Sequence, residues 1–266
     1  MSELIDSQNR VIDPDLTVQQ RIREVGLERG LRPTTVRSYE VLLRRLSLLP
    51  RRLREVTRQD CIDLVWTLDN PNTRRATVVA MRSVWGYDIK IPKGVPRRYE
   101  LPDEDTLRIA LMTSPHEIRG LLMMYAGCRI GEACAVTERQ VSGDRLTIDR
   151  QMIHLCRTGE ESRIYIAPVK TSEAAIVIPT WLGERLSGLT ATARPASVRE
   201  SLRRAGKKVG VHLNPHMLRH WYATTLLSRG IPLSLVSQQM RHSDVAVTLR
   251  SYSQHNSAAI HEVFPS

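Results

Sequence analysis

The sequence predicts a mainly α fold with a small antiparallel β-sheet, arranged as a helical N-terminal domain followed by a larger α+β domain. Three observations predict it. Apolar residues recur at helical spacing from Leu16 to about residue 90, and "DIKIPKGVPRRYELPDED" then breaks the pattern with three prolines, a glycine and a run of bases. Residues 145–180 switch to a period of two.

Taken in order, residues 1–15 read as a short disordered leader, polar and acidic. Helical periodicity covers Leu16 to about Leu49, and "GLRPTTVRSYEVLLRRLSLL" offers a helix start at Pro33 and Thr34. Val36, Tyr39, Leu42 and Leu43 form its core face; Arg32, Arg37, Arg44 and Arg45 lie opposite, and Arg51, Arg52 and Arg54 continue the basic run. Such a face is either a solvated surface or one that tracks phosphates, and the scarcity of nearby acids favours phosphates. Two further helices are expected near Gln59–Leu68, opened by Thr57, and near Thr73–Tyr87. These elements form a helical domain over residues 16–90, with residues 91–100 a basic linker.

Beyond the linker, helices are expected at Asp103–Thr113 and His116–Ala126, the second interrupted by Gly127 before "CRIGEACAV". The runs "RLTIDRQMIHL", "SRIYIAPV" and "AAIVIP", separated by turns, predict one three-stranded antiparallel sheet, with Lys170 at the second turn. Helices return near Ala196–Val209, Pro215–Ser228, Pro232–Gln239 and Asp244–Ser253, the last capped by Ser243. This second domain spans residues 101–252, and residues 253–266 form a tail.

Composition narrows the function. The chain has 266 residues, 39 Lys and Arg against 28 Asp and Glu, and a net charge of +11, a field that attracts polyanions. Nucleic acid is the first partner to consider. The four cysteines, Cys61, Cys128, Cys134 and Cys156, show neither paired nor zinc-ligand spacing and read as reduced thiols of a cytosolic protein. No apolar stretch reaches the length of a membrane span, so no membrane partner is expected. A single Phe gives little material for stacking bases on phenylalanine.

Several residues carry potential chemistry. His216 and Arg219, three apart on a helix that can start at Pro215, suit an acid/base group beside an anion clamp, although structural helices also carry that spacing. Arg129 follows a glycine break between apolar helices, where a carboxylate or an anion should meet it; Glu132, three residues on, could be that carboxylate. Tyr252 shares a helical stripe with Val245 and Leu249, a pattern that by itself favours a core aromatic.

The order "AGCRIGEACAV", "PVKTSEAAIVIP", "HMLRHWYATTLL", "QQMRHSDVAVTLRSY" resembles the tyrosine recombinase (phage integrase) family. "RPTTVRSYEVLLRRL…LREVT" is similar to the family's core-DNA-binding domain, so the likeness runs from about residue 16 to 256. The resemblance implies an α+β tyrosine-recombinase catalytic domain with Arg129, Lys170, His216, Arg219, His242 and Tyr252 as its site. Tyr252 would attack a DNA phosphodiester to form a 3′-phosphotyrosine, needing neither metal nor ATP, hence no cofactor. Arg129 and Arg219 would stabilise the phosphate, Lys170 would protonate the leaving 5′ oxygen, and His216 would take the tyrosine proton. His242 would hydrogen-bond the phosphate, and Glu132 would support the arrangement.

The residue before His242 is usually glycine in the family and here is Arg241, which could contact DNA or alter the turn. His220 reads as structural, and Trp221 and Tyr222 as core. Fifteen residues before Leu16 are too few for an arm-binding domain, implying short, simple sites. The resemblance further implies double-stranded attachment sites, a homo-tetramer on synapsed DNA joined through the tail, and room for an accessory directionality or DNA-bending protein. It places the protein in the cytoplasm of a bacterial host, on the nucleoid. Integration and excision of phage DNA is the expected programme; dimer resolution, transposon movement, nicking and closing, or an inactive DNA-binding module are the alternatives.

Overall fold

The computed structural model describes residues 5, 10–95, 101–155, 163–169 and 173–241. The chain divides into two compact units near residue 97.

In the first unit α1 (Val18–Glu28), α2 (Pro33–Arg44), α3 (Arg58–Trp66) and α4 (Pro71–Trp85) enclose Ile22, Leu43, Leu53, Met81 and Trp85. Each start is written locally. Thr17 and Gln20 cap α1 reciprocally, Thr57 and Asp60 do the same for α3, and Asn70 caps α4 ahead of Pro71. The buried Trp85 indole donates to the Leu53 carbonyl at 3.2 Å, and the Tyr87 hydroxyl to the Val56 carbonyl at 2.9 Å, tying α4 to the turn before α3.

Two boundaries are corrected. Ile12, expected in a disordered leader, is buried in this core. Asp15 pairs with Arg52 at 2.9 Å and Arg54 at 2.7 Å, so residues 10–15 bring both an apolar anchor and counter-charge to the basic turn. Residues 91–95, assigned to the linker, belong to the helical unit: the Asn72 amide donates to the Val95 carbonyl at 2.9 Å and accepts from its N–H at 3.0 Å.

The second unit contains α5 (Glu104–Met112), α6 (Glu117–Tyr125), α7 (Ile130–Ala135), α8 (Thr180–Arg185), α9 (Pro195–Lys208), α10 (Pro215–Ser228) and α11 (Leu233–Gln239). α10 packs along α6, and α5 along α9. Leu107, Leu122, Met123, Leu202 and Leu218 join Leu146 and Ile176 in one core. The strands are β1 (Val141–Ser142), β2 (Arg145–Ile148), β3 (Arg150–Leu155), β4 (Arg163–Pro168) and β5 (Ala174–Val177).

The single three-stranded sheet is corrected to two. β2 lies between β1 and β5, antiparallel to both, with Leu146 opposite Ile176 and Ile148 opposite Ala174; β3 pairs with β4. The first period-two run breaks at Asp149. Its carboxylate accepts from the Gln140 amide at 2.7 Å and from Arg150 at 2.6 Å, while its carbonyl accepts from the Val169 N–H at 3.2 Å. A residue held on three sides ends one ladder and starts the next. α8 carries no periodic signal in six residues and is recognised only by Leu182 entering the core. The helix expected at Asp244–Ser253 and its Ser243 cap lie outside the described residues. No described helix is long and apolar enough to cross a membrane.

Candidate active site and DNA-contact surface

The site of the second unit begins where α6 ends. Gly127 adopts φ 58°, a left-handed conformation that suits glycine, and a Cβ there would lie 2.6 Å from the Tyr222 ring and 3.1 Å from the Met240 sulfur. The turn sets Arg129 at the head of α7. It also aims the Gly127 carbonyl at two guanidiniums, accepting from Arg219 Nη1 and, at 3.3 Å, from Arg241 Nη2.

Glu132 is the centre of the cluster. Its Oε2 accepts from the Arg129 N–H at 2.8 Å and from Arg241 Nη2 at 2.7 Å, and its Oε1 accepts from Arg129 Nη1 at 2.8 Å. One carboxylate thus satisfies an orphan N–H of α7 and holds two arginines. Burial opposes its ionisation. The charge of Arg241, with the backbone and guanidinium of Arg129, outweighs burial and leaves the carboxyl below its ordinary range.

Arg219, on α10, is buried and donates to the carbonyls of Gly127 and Met240. Burial, then the neighbouring Arg129 and Arg241, pushes its guanidinium down to about 9, still protonated at neutral pH. Arg129 and Arg241 therefore share one carboxylate, and Arg219 joins Arg241 at the Gly127 carbonyl, leaving positive charge that an oxyanion would neutralise. Arg129 is the partly exposed member, with 32% of its side chain open against 3% for Glu132. His216 is exposed in the first turn of the same helix as Arg219, which Asn214 caps by accepting from the Met217 N–H at 3.0 Å.

Arg241 departs from expectation. Its side chain is 1% exposed and turned onto Glu132, so it presents no guanidinium to DNA in this conformation. It also holds φ 53°, a strain of order 1–3 kcal/mol for a residue with a Cβ. Tyr222 and Trp221 are core residues, as expected. Burial, then the nearby Cys128, pushes the Tyr222 hydroxyl up to about 12. Cys61, Cys128 and Cys134 are buried free thiols. Lys170, His242 and Tyr252 lie outside the described residues.

The DNA-binding candidates of the first unit are mixed. Arg32, Arg44, Arg45, Arg51 and Arg52 are exposed, and Arg37 is half-buried. Acids are closer than the sequence suggested: Arg37 meets Glu40 at 3.5 Å, Arg51 approaches Glu55 at 4.0 Å, and Arg52 meets Asp15. Exposed pairs of this kind are worth about 0–1 kcal/mol, little enough for a phosphate to displace.

Sequence reasoning missed Arg119. Buried in α6, it donates to the carbonyls of Ala133 at 2.7 Å, Val136 at 2.9 Å and Thr190, holding the far end of α7. The available signal was a lone charge inside the apolar stripe "EIRGLLMMY".

Residues 103–259, more than half of the chain, match the model of the phage integrase family. The chain belongs to that family. Among curated proteins, this integrase-family chain is 24% identical to tyrosine recombinase XerA of Thermococcus onnurineus over 261 residues, covering 82% of this chain and 84% of that one. It is also 24% identical to XerD of Neisseria meningitidis over 277 residues, covering 87% and 91%. Of solved structures, the Tn1549 transposon integrase in complex with transposon right end DNA shares the fold at TM-score 0.70 and 17% identity, covering 94% of this chain and all of that one. XerH bound to difH shares it at TM-score 0.57 and 13% identity, covering 92% and 83%. This integrase-family protein is a tyrosine site-specific recombinase.

Proposed function

We propose that the chain cuts and rejoins double-stranded DNA at attachment sites to integrate and excise phage DNA, with Tyr252 as nucleophile and no metal or ATP. The observation that carries this reading is the gathering of three arginines around the start of α7, Arg129 and Arg241 on the Glu132 carboxylate and Arg219 on the Gly127 carbonyl, an excess of positive charge over one carboxylate. As the tyrosine oxygen bonds to phosphorus and the 5′ oxygen departs, charge grows on the non-bridging oxygens. Arg129 and Arg219 are already fixed by Glu132 and by two carbonyls, so they meet that charge without reorganising. His216 takes the Tyr252 proton, Lys170 gives one to the leaving 5′ oxygen, and His242 hydrogen-bonds the phosphate. A 5′ hydroxyl from another strand reverses the step and joins a new partner.

Chromosome- or plasmid-dimer resolution is the second reading, supported by the near full-length likeness to XerA and XerD. In either programme the protein acts as a homo-tetramer on synapsed DNA in the host cytoplasm. We place the tail, residues 253–266 with Ile260, Val263 and Phe264, on the apolar groove of a second copy. That groove, a cavity of about 590 Å³, is lined by Trp181, Trp221, Tyr222, Leu226 and Leu235.

The test starts from duplexes enriched out of a random pool by the Tyr252→Phe protein, nicked in turn at each central phosphate. The unaltered chain should form a covalent adduct that survives denaturation and maps to Tyr252 by mass spectrometry. Tyr252→Phe should bind equally and form none; an adduct with that variant would remove the nucleophile assignment. A chain ending at Ser253 should still form the adduct but fail to pair two duplexes on a native gel. Pairing by that truncated chain would remove the tail from the groove. Lys170→Ala should slow cleavage of the ordinary phosphodiester and spare a 5′-phosphorothiolate, whose leaving sulfur needs no proton; equal losses on both would exclude the acid role.

A further inference from the structure

Arg241 stands outside the chemistry assigned above, yet it is the most constrained arginine of the site. Its backbone lies in the left-handed region at φ 53°, where a residue without a Cβ would sit free of strain. Its guanidinium donates to Glu132 at 2.7 Å, to the Gln239 carbonyl at 2.8 Å and to the Gly127 carbonyl at 3.3 Å. In the opposite direction, the Arg241 carbonyl accepts from Arg129 Nη2 at 3.2 Å. The same residue therefore grips Arg129 twice, through Glu132 with its side chain and directly with its backbone. The next residue in the chain is His242.

We propose that Arg241 is a positioning residue: a clasp that fixes the end of α11 to the head of α7 and thereby sets the guanidinium of Arg129 against the scissile phosphate. The inference rests on the assignment of Arg129 as a phosphate clamp. Arg241 holds Oε2 of Glu132 while Arg129 Nη1 is bonded to Oε1, so the carboxylate is anchored to the end of α11 and Arg129 cannot swing with it. The left-handed backbone is what turns the side chain back under the site while directing the carbonyl at Arg129 Nη2. Strain retained at one residue is thus matched by two contacts that hold another.

The clasp also gives a titration signature. The charged and titratable groups around Glu132 are Arg129 at its own helix start, Arg219 from α10, Arg241 after α11 and Cys128 before α7. Arg241 is the largest influence keeping the carboxylate ionised against burial. A carboxylate held below its ordinary range keeps its contribution until the pH falls through that lowered value. Without Arg241 the protonation moves to higher pH, and Arg129 is released there.

The experiment compares Arg241→Gly, Arg241→Lys, Glu132→Gln and Arg129→Ala on the enriched, nicked duplexes, measuring binding, melting temperature and the rate of adduct formation from pH 4 to 9. Arg241→Gly relieves the backbone strain, so its fold should hold and its DNA affinity should not change. Its adduct rate should fall by about 10- to 100-fold, and the acid limb of its pH–rate profile should move upward. Arg241→Lys should recover part of the rate and of the acid limb, and Glu132→Gln should lower the rate and leave only the acid limb that His216 sets as the base. A wild-type rate and profile for Arg241→Gly would overturn the inference, as would a lowered rate with an unmoved acid limb. Should Arg241→Gly fail to fold, Arg241→Lys decides: a reduced rate with an acid limb moved upward supports the clasp, and an unaltered rate refutes it. Full activity of Arg129→Ala would instead sink the clamp assignment itself, whatever Arg241 does.

Discussion

Arg219→Ala is expected to lower the rate of covalent adduct formation by about 10²–10³-fold, the size of effect seen when one preorganised oxyanion donor is removed. Two opposing terms make its stability change much smaller. The substitution strips the Gly127 and Met240 carbonyls of a buried donor, at a cost of about 1–3 kcal/mol. It also removes a guanidinium that Arg129 and Arg241 both repel. Urea unfolding beside single-turnover cleavage on the enriched duplex separates the two effects. An adduct rate that falls only in proportion to the unfolded fraction would mean that Arg219 is a scaffold residue. Arg219→Lys keeps one charge but lacks the planar fork that spans two carbonyls, so it should rescue stability better than rate.

How far the site was legible depended on how local its signals are. Arg129 and Glu132 could be read as a pair because a carboxylate at the third helical position returns to the residue before the helix, a rule that needs no tertiary structure. The helix cap at Thr57 was legible for the same reason. Arg241 was misread. Sequence shows a charged residue in a polar turn, and only the packed fold shows that Glu132 and the Gly127 carbonyl, 109 and 114 residues away in the chain, lie within hydrogen-bond reach. The broken sheet has a similar cause. Period-two alternation continues through Asp149, whereas the pairing change is dictated by Gln140 and Val169, which come from other segments. Ile12 was missed because one apolar residue among acids has no period at all.

Gly127→Ala should damage both the stability of the second unit and cleavage. Alanine at φ 58° costs about 1 kcal/mol in the backbone alone. The added Cβ would also stand 2.6 Å from the Tyr222 ring and 3.1 Å from the Met240 sulfur. The ring and the sulfur belong to one buried cluster with Ala223 and Val236; overpacking of this kind costs about 1–3 kcal/mol more. We therefore expect a loss of about 2–4 kcal/mol in urea unfolding. Activity should fall further than stability, because the Gly127 carbonyl that receives Arg219 and Arg241 moves with the backbone. Tyr222→Leu removes the ring atoms nearest the new methyl, so the double variant should lose less stability than the sum of the two single changes. It should not regain activity to the same extent, since the left-handed turn remains strained and its carbonyl misplaced. Strict additivity in stability would show that the ring is not what the methyl meets. Full recovery of cleavage in the double variant would show that Tyr222 contact, and not the aim of the Gly127 carbonyl, links this turn to the arginines.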